Sequence, residues 1–294
     1  MSATVAVPVP LEVTASPGYW RNVFRRLRRD PVAMCALALL LVIVFSAVLA
    51  PWITSVDPFR GSMIRRLRPI GFPNYPLGSD ELGRDMLTRL IYGGRLSLFL
   101  GVTPVILAFV IGSGIGIAAG YVGGWINTAV MRTIDVFFAF PSVLLAIALS
   151  GALGAGILNS IVSLTVVFVP QIARVAESVT TQIRNHDYVE AARISGAGPV
   201  PIIRVHVLGN VLGPIFVYAT SLISVSMILS SGLSFLGLGV RPPEPEWGLM
   251  LNTLRTAIYS QPLVAALPGA MIFLTSISFN LFSDGLRSAM EVKQ

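Results

Sequence analysis

Asn185-His186-Asp187-Tyr188-Val189-Glu190-Ala191-Ala192-Arg193-Ile194-Ser195-Gly196-Ala197-Gly198-Pro199 is a polar island in an otherwise apolar chain. Apolar runs flank it on both sides, so the chain leaves the membrane here, forms a short helix and a break, and re-enters. Ala191 and Ala192 give a slim, strongly helical surface, and Glu190 offers a carboxylate to a cation or to backbone donors. Gly196 lets the chain end that helix with a positive φ, and Gly198-Pro199 stops its continuation. The expected product is a rigid knob; an incidental amphipathic loop helix is the alternative.

Working outward, 54% of the 294 residues are hydrophobic and only 12% charged, against about 25% charged in an average soluble domain. This is the composition of a membrane-embedded chain. The net charge of +7 does not point to nucleic acid, because the Arg residues are scattered among apolar spans and flanks and form no single basic face. Contact with the lipid bilayer accounts for them. The only Lys is Lys293, beside the C-terminus, so no P-loop with its Lys opening a helix can exist here. If ATP drives this protein, another chain hydrolyses it. Cys35 is the single cysteine and falls in an apolar run, which excludes an internal disulfide and a Cys-based zinc cluster and suggests a packing residue.

A helix crossing the hydrocarbon core needs about 20 mostly apolar residues. Such runs occur near 32–52, 96–119, 136–153, 157–173, 214–238 and 263–283, which predicts six spans. The third and fourth are separated only by Gly154, Ala155 and Gly156, a hairpin signal for which one bent helix is the alternative. The first run ends in the small residues of Val48-Leu49-Ala50, as a signal peptide does, but its length and the long stretch before it mark a retained anchor. The expected organisation is therefore a tail over 1–31, a first span over 32–52, an external segment over 53–95, a core over 96–287 containing the loop 185–199, and a tail over 288–294.

Within the first tail, Trp20, Val23, Phe24 and Leu27 recur at helical spacing, with Arg21, Arg25, Arg28 and Arg29 mainly off the stripe. This predicts an amphipathic helix in the membrane interface, compatible with a basic tail that fixes topology. Arg-rich flanking sequence places the N-terminus in the cytoplasm, and 12 of the 21 Lys and Arg then fall in segments assigned inside. The external segment has an irregular first half from Thr54 to Pro76. Its second half offers Ser79 as N-cap, then Asp80 and Glu81, with Leu82, Met86 and Leu90 at four-residue spacing. An outer-face helix with i,i+4 pairs Asp80/Arg84 and Asp85/Arg89 is expected there, either as a contact for an extracytoplasmic partner or gate or as a solvated lead-in. Trp247, after a Pro-rich stretch, is expected to anchor at the outer interface.

Gly112, Gly116, Gly120 and Gly124 form a stripe that permits close helix approach. In the fifth span Thr220, Ser224, Met227, Ser231 and Ser234 share a face, which either lines a polar pathway or bonds back to its own and neighbouring helices. No ionised residue lies at the centre of any run, which argues against a proton relay or voltage sensor. His186 and His206 have no partners at metal-ligand spacing, and neither Gly-x-Ser-x-Gly nor His-Glu-x-x-His occurs, so neither catalytic nor metal-binding residues are expected. An ion channel would need a filter or charged rings, and a membrane-embedded enzyme a convergent nucleophile and base.

The island resembles the signature of ATP-binding-cassette importer permeases: Glu-Ala-Ala, three residues, Gly, nine residues, Ile, one residue, Leu-Pro. Those positions are Glu190, Ala191, Ala192, Gly196, His206, Leu208 and Gly209, with the Ile and Pro slots departing and Gly209 left to interrupt the helix. Pro76 to Asp85, Gly94 to Leu98, Gly120 to Gly124, Met131-Arg132, Asp135 to Pro141, Ser234 to Gly239, Pro242 to Gly248, Phe279 to Leu281 and Asp284 to Arg287 resemble the C-type permease of peptide and nickel importers. The resemblance implies an all-α membrane protein of type I importer architecture, with six transmembrane helices and a cytoplasmic coupling helix, in a bacterial plasma membrane with both termini cytoplasmic. It implies coupling residues at Asp187, Tyr188, Glu190, Ala191, Ala192, Arg193, Gly196 and Ala197; Asp80, Arg84, Asp85 and Trp247 are the candidates for extracytoplasmic partner contact, with a solvated lead-in as the alternative. Implied partners are a second homologous permease, two ATPase subunits or domains that bind ATP and Mg, and an extracytoplasmic substrate-binding protein. Implied cargo is a di- or oligopeptide, with nickel or another small nutrient as the alternative.

Overall fold

A computed structural model describes residues 19–290, and among these every regular element is helical. In chain order these are α1 (Tyr19–Leu27), α2 (Pro31–Val48), α3 (Ala50–Ile53), α4 (Met86–Val122), α5 (Gly124–Phe138), α6 (Ser142–Leu153), α7 (Ile157–Arg184) and α8 (Asp187–Ile194). The remainder comprises α9 (Pro199–Ile202), a π-helical turn over Ile203–Val207, α10 (Leu208–Phe235), α11 (Trp247–Thr253) and α12 (Pro262–Met290). Five helical stretches are long and apolar enough to cross a membrane unaided: α2, α4, α7, the α9–α10 run and α12. The sixth crossing is α5 and α6 together, bent by 87° at a short break. The span expected over 136–153 is thus a broken pair, because Pro141 cannot continue α5 and instead opens α6. The hairpin at Gly154 and Gly156 does form, with Gly154 at φ +86° and the Gly156 amide bonded to the Leu238 carbonyl at 3.3 Å.

The packing of α4 on α7 depends on the glycine stripe. A Cβ on Gly112 would lie 2.8 Å from the Val169 carbonyl oxygen, one on Gly120 2.8 Å from that of Glu177, and one on Gly116 would overlap that of Ala173. Gly124 takes no part; at φ +58° it opens α5 in open space. Around this contact lies the main core, including Phe168, Leu164, Ile172, Val211 and Ile215. Helix starts and ends are secured by nearby side chains. Asp30 caps α2 by accepting from the Val32 and Ala33 amides at 3.0 and 3.1 Å, and Asp85 caps α4 by accepting from Thr88 N at 2.8 Å. Arg95 donates to the Ala47 and Val48 carbonyls at 2.7 and 2.9 Å, satisfying the end of α2 from α4.

Several elements differ from the sequence-based expectation. The outer helix does not begin at Ser79: Asp80 accepts from the Leu82 and Arg84 amides at 2.9 and 2.8 Å and Gly83 sits at φ +71°, so 79–85 is a tight turn and α4 starts at Met86. Asp85 is occupied by Thr88, and Arg89 pairs instead with Asp80 at 3.2 Å. Thr54 to Pro76 is irregular as read, apart from a 3₁₀ turn at Met63–Arg65. Cys35 is exposed on α2 and does not pack in the core. In α1, Val23 and Leu27 pack with Leu286 and Ala289 of α12, while Phe24 points outward beneath Arg28. The helix is therefore docked on the bundle by one edge and presents the other outward. Lys293 and the first 18 residues lie outside the described residues.

Substituting Gly116 by Val should separate α4 from α7 and destabilise the fold by about 1–3 kcal/mol, seen as a lower melting temperature in detergent. Gly114→Ala, where a Cβ meets nothing within 4 Å, should leave the melting temperature unchanged.

Candidate functional site

The island forms the expected projection. α8 runs from Asp187 to Ile194, with His186 as its extended N-cap residue and Asp187 and Glu190 in the first turn, where carboxylates suit the positive helix end. The helix ends in a Schellman arrangement: the Ala197 amide bonds the Ala192 carbonyl at 3.1 Å and the Gly196 amide bonds that of Arg193 at 3.0 Å. Gly196 stands at φ +85°, a conformation that a Cβ disfavours. Only Val189 is fully buried, and it enters the core that holds Ile202, Val207 and Phe168. Asp187, Tyr188, Glu190, Ala191, Arg193 and Gly196 are exposed, and Ala192 and Ala197 are half-buried on the inner side. Ile194 is 81% exposed at the tip, an apolar side chain turned away from the core.

A link not legible in the sequence ties this knob to the start of the fifth span. Asn210 donates from Nδ2 to the His206 carbonyl at 2.7 Å and to the Tyr188 hydroxyl at 3.2 Å. The Tyr188 ring lies between those of His186 and His206, at 5.7 and 6.1 Å. Gly209 does not interrupt the helix; it lies inside α10, and the irregularity sits just before it as the π-turn Ile203–Val207. The interruption expected at Gly209 is thus replaced by a change of helical pitch just before it.

At the opposite end of the bundle three separated sequence motifs converge. Gly93 and Gly94 of α4 make a seat for Trp247, whose ring atoms would lie 3.2 Å from a Cβ at either position, and Trp247 Nε1 donates to the Leu90 carbonyl at 2.9 Å. Ser97 Oγ accepts from the Trp247 amide at 3.0 Å and donates to Glu246 at 3.2 Å. Glu246 is fully buried and caps α11 by accepting from the Gly248 and Leu249 amides at 2.9 and 2.8 Å. Burial raises the Glu246 pKa, and the bonds from Gly248, Leu249, Ser234 and Ser97 oppose that shift. Trp247 therefore anchors the interior and not the interface.

Asp80, Arg84 and Asp85 are buried as well. Arg84 and Arg89 share Asp80 at 2.6 and 3.2 Å, and Arg89 also donates to the Pro58 carbonyl at 3.0 Å, knitting the external segment to α4. These side chains offer no surface for direct contact with a partner; they hold the external segment in place. The fifth-span stripe is likewise turned inward. Ser224, Met227, Ser231 and Ser234 are buried, with Met227 filling the space above Gly101 and Ser231 backing Gly248. Thr220 and Ser224 bond back to the Val217 and Ser221 carbonyls at 2.7 and 2.8 Å, and Thr220 meets Ser283 of α12 at 3.0 Å. Among the described residues no cluster of His, Cys, Asp or Glu could hold a metal ion.

The helices extend past the apolar runs, and the extensions carry charge. α5 carries Arg132 and Asp135, and α7 carries Arg174, Glu177 and Arg184. Arg174 forms an ion pair with Asp135, and Asn127 donates to Glu177 at 2.6 Å, so a polar seam joins α5 to α7. Each member of the ion pair lies one residue beyond the apolar runs, which is why hydropathy passed over it.

Residues 112–293 match the family described as binding-protein-dependent transport system inner membrane component, and residues 18–69 match the N-terminal TM domain of oligopeptide transport permease C. The chain is 39% identical to the di/tripeptide transport system permease protein of Pseudomonas aeruginosa, over 94% of this chain and 93% of that protein. It is 38% identical to the glutathione transport system permease protein of Pectobacterium atrosepticum, over 93% of this chain and 91% of the relative. In fold it is similar to the MetNI methionine ABC transporter solved in inward-facing conformations, with a TM-score of 0.56 at 21% identity over 69% of this chain and 97% of that one.

Two outcomes are expected from these geometries. Val189→Ala should loosen α8 without unfolding the bundle, read as faster amide exchange over 187–197 while α4 and α7 exchange as before. Because the folded state raises the Glu246 pKa, its stabilising effect is complete below the ordinary carboxylate range and falls as pH rises through the raised value. Glu246→Gln should flatten that loss in pH-dependent melting, while Glu246→Ala should cost about 1–3 kcal/mol for each backbone amide left unpaired.

Proposed function

Because this chain belongs to the family of binding-protein-dependent transport system inner membrane components, we propose that it is the permease subunit of an ATP-driven importer whose cargo is a di- or tripeptide. The names of its relatives support the cargo, since glutathione is itself a tripeptide. In this reading the chain supplies half of the pathway and a homologous permease the other half. Two ATPase subunits or domains bind ATP and Mg and hydrolyse the nucleotide, and an extracytoplasmic binding protein delivers solute. The membrane is the bacterial inner membrane, with both termini and α8 on the cytoplasmic side.

The observation that carries the coupling role is the knob itself: an exposed helix, stopped by Gly196, held by one buried valine, and joined at either end to α7 and α10. A partner that grips α8 moves two membrane helices together. Ala191 leaves the knob slim, Ile194 offers an apolar tip, and Glu190 and Arg193 offer opposite charges within a turn of each other. Tyr188, bonded to Asn210, passes displacement to the π-turn ahead of α10. The metabolic energy thereby enters as rigid-body motion, with no chemistry performed in this chain.

In the reconstituted transporter Glu190→Lys and Gly196→Pro should leave ATP hydrolysis running while uptake falls about tenfold or more, the loss of a charge-assisted contact or of the cap. Both variants should still reach the membrane. Uptake at the wild-type rate in both would remove α8 from the coupling role.

A further inference from the structure

Between α5, α7 and the α4–α5 junction lies an open cavity of about 620 Å³ whose wall is mostly polar. Arg132, Arg174 and Arg184 line it with a single carboxylate, Asp135. Gly123, Gly124 and Arg184 place its mouth on the face that carries α8. Arg184 is committed, because its Nη1 donates to the Gly120 and Tyr121 carbonyls at 3.2 and 3.1 Å. Glu177 is committed too, to Asn127 and Thr181 at 2.6 and 3.1 Å. The other three groups are not closed off. Asp135 and Arg174 pair but remain 40% and 42% exposed, and Arg132, 80% exposed, reaches Asp135 only at 3.7 Å.

Arg174 lies ten residues before the end of α7, about 15 Å along the axis at 1.5 Å per residue. Asp135 and Arg174 each stand one residue past an apolar run, at the edge of the lipid-covered length on the side that carries α8, where water reaches a half-exposed ion pair. We infer that the Asp135–Arg174 pair, with Arg132 beside it, is a station for a zwitterionic solute on its way out toward the cytoplasm, the solute ammonium taking Asp135 and its carboxylate taking Arg174 and Arg132. The inference rests on the peptide reading above. Solute binding exchanges one ion pair for two of the same kind, so no charge is left unmatched, and two adjacent guanidiniums suit a carboxylate better than one. Release returns Asp135 to Arg174, which restores the seam between α5 and α7. The Phe138 ring lies 5.9 Å from the Arg174 guanidinium.

The test uses the complete transporter in liposomes, with an equimolar mixture of di- and tripeptides in free and C-terminally amidated form, and uptake of each measured by mass spectrometry. The binding protein is the same in every arm, so any change in the free-to-amide ratio caused by a permease variant reports the permease. Arg174→Gln and Arg132→Gln should lower that ratio about tenfold, the worth of one charge-assisted hydrogen bond, and Arg174→Lys should restore it. Arg132 makes no close contact, so its variant folds whatever happens to Arg174. In the same mixture, Asp135→Asn should lower preference for free over N-acetylated peptides. If free and amidated peptides fall together in every variant, the pair is a structural clasp and the inference is overturned. It is equally overturned if the Arg132→Gln effect tracks the anionic lipid content of the liposomes and not the peptide ends, since a head group would then occupy the cavity. No uptake of any peptide by the wild-type transporter would remove the peptide reading itself, whereas wild-type uptake with an unchanged ratio in the variants would remove only the station.

Discussion

The distance between α4 and α7 is set by backbone touching backbone, since a Cβ at Gly112, Gly116 or Gly120 would strike carbonyls or amides of the facing helix. In a lipid environment helices gain little from hiding apolar surface, and close packing of small residues takes over as the source of association. That contact fixes α7, and α7 in turn positions three other parts of the molecule. Its far end leads through Asn185 and His186 into α8, its inner stretch carries the charges that hold α5, and its first turn meets the Leu238 carbonyl through Ser160. A small shift between the two helices is therefore felt at the knob, in the polar cavity and at the opposite end together.

The end of the bundle opposite α8 is organised by a different force. Glu246, Trp247 and Ser97 form a buried polar cluster in which the Ser97 hydroxyl both accepts and donates, and the carboxylate satisfies the start of α11. Polar groups removed from water must be paired, so the geometry of this cluster is more sharply specified than that of an apolar contact of equal area. It joins α4, α11 and the end of α10 at one point. The Asp80, Arg84 and Arg89 group does the same for the external segment. Together they fix the end opposite α8, with Met63, Ile64 and the surrounding loop left exposed on it.

How much of this could be read from the sequence depended on whether the signal was local. Gly196 and Pro199 announce a stopped helix within a few residues, and that knob forms as read. The glycine stripe has a period, and three of its four members pack as the period implies. Hydropathy, in contrast, marks only the part of a helix that lipid would cover; α4 runs from 86 to 122 where the apolar run covers 96–119. The same shortfall hid Asp135 and Arg174. A usable signal was present, because the two opposite charges lie equally far in sequence on either side of the Gly154-Ala155 turn. The Trp247 seat could not be read this way: nothing near Trp247 says that two glycines in α4 have removed the side chains that would have kept it out. Nor does local sequence show the Asp80 side chain drawing residues 79–85 into a turn, since Ser79, Asp80 and Glu81 are also a sound helix start.

These contacts divide the chain into parts that must move together and one that need not. α4, α7, α8 and α10 interlock through backbone approaches and the core around Phe168, and such packing has few alternative arrangements at similar energy. α5 is attached in another way. Only Met131 and Ile134 of its side chains are buried, with Val130 packed beside them, and its side-chain bonds to α7 run from Asp135 to Arg174 and from Asn127 to Glu177. Polar contacts beside water can be exchanged for solvent or for a solute with modest change in free energy, which an apolar interlock cannot do. The 87° break after Phe138 frees α5 from following α6 as a rigid extension. The interlocked helices are therefore built to keep their mutual positions, while α5, broken from α6 at one end and held on α7 by one ion pair and one hydrogen bond, is the element whose contacts exchange most readily.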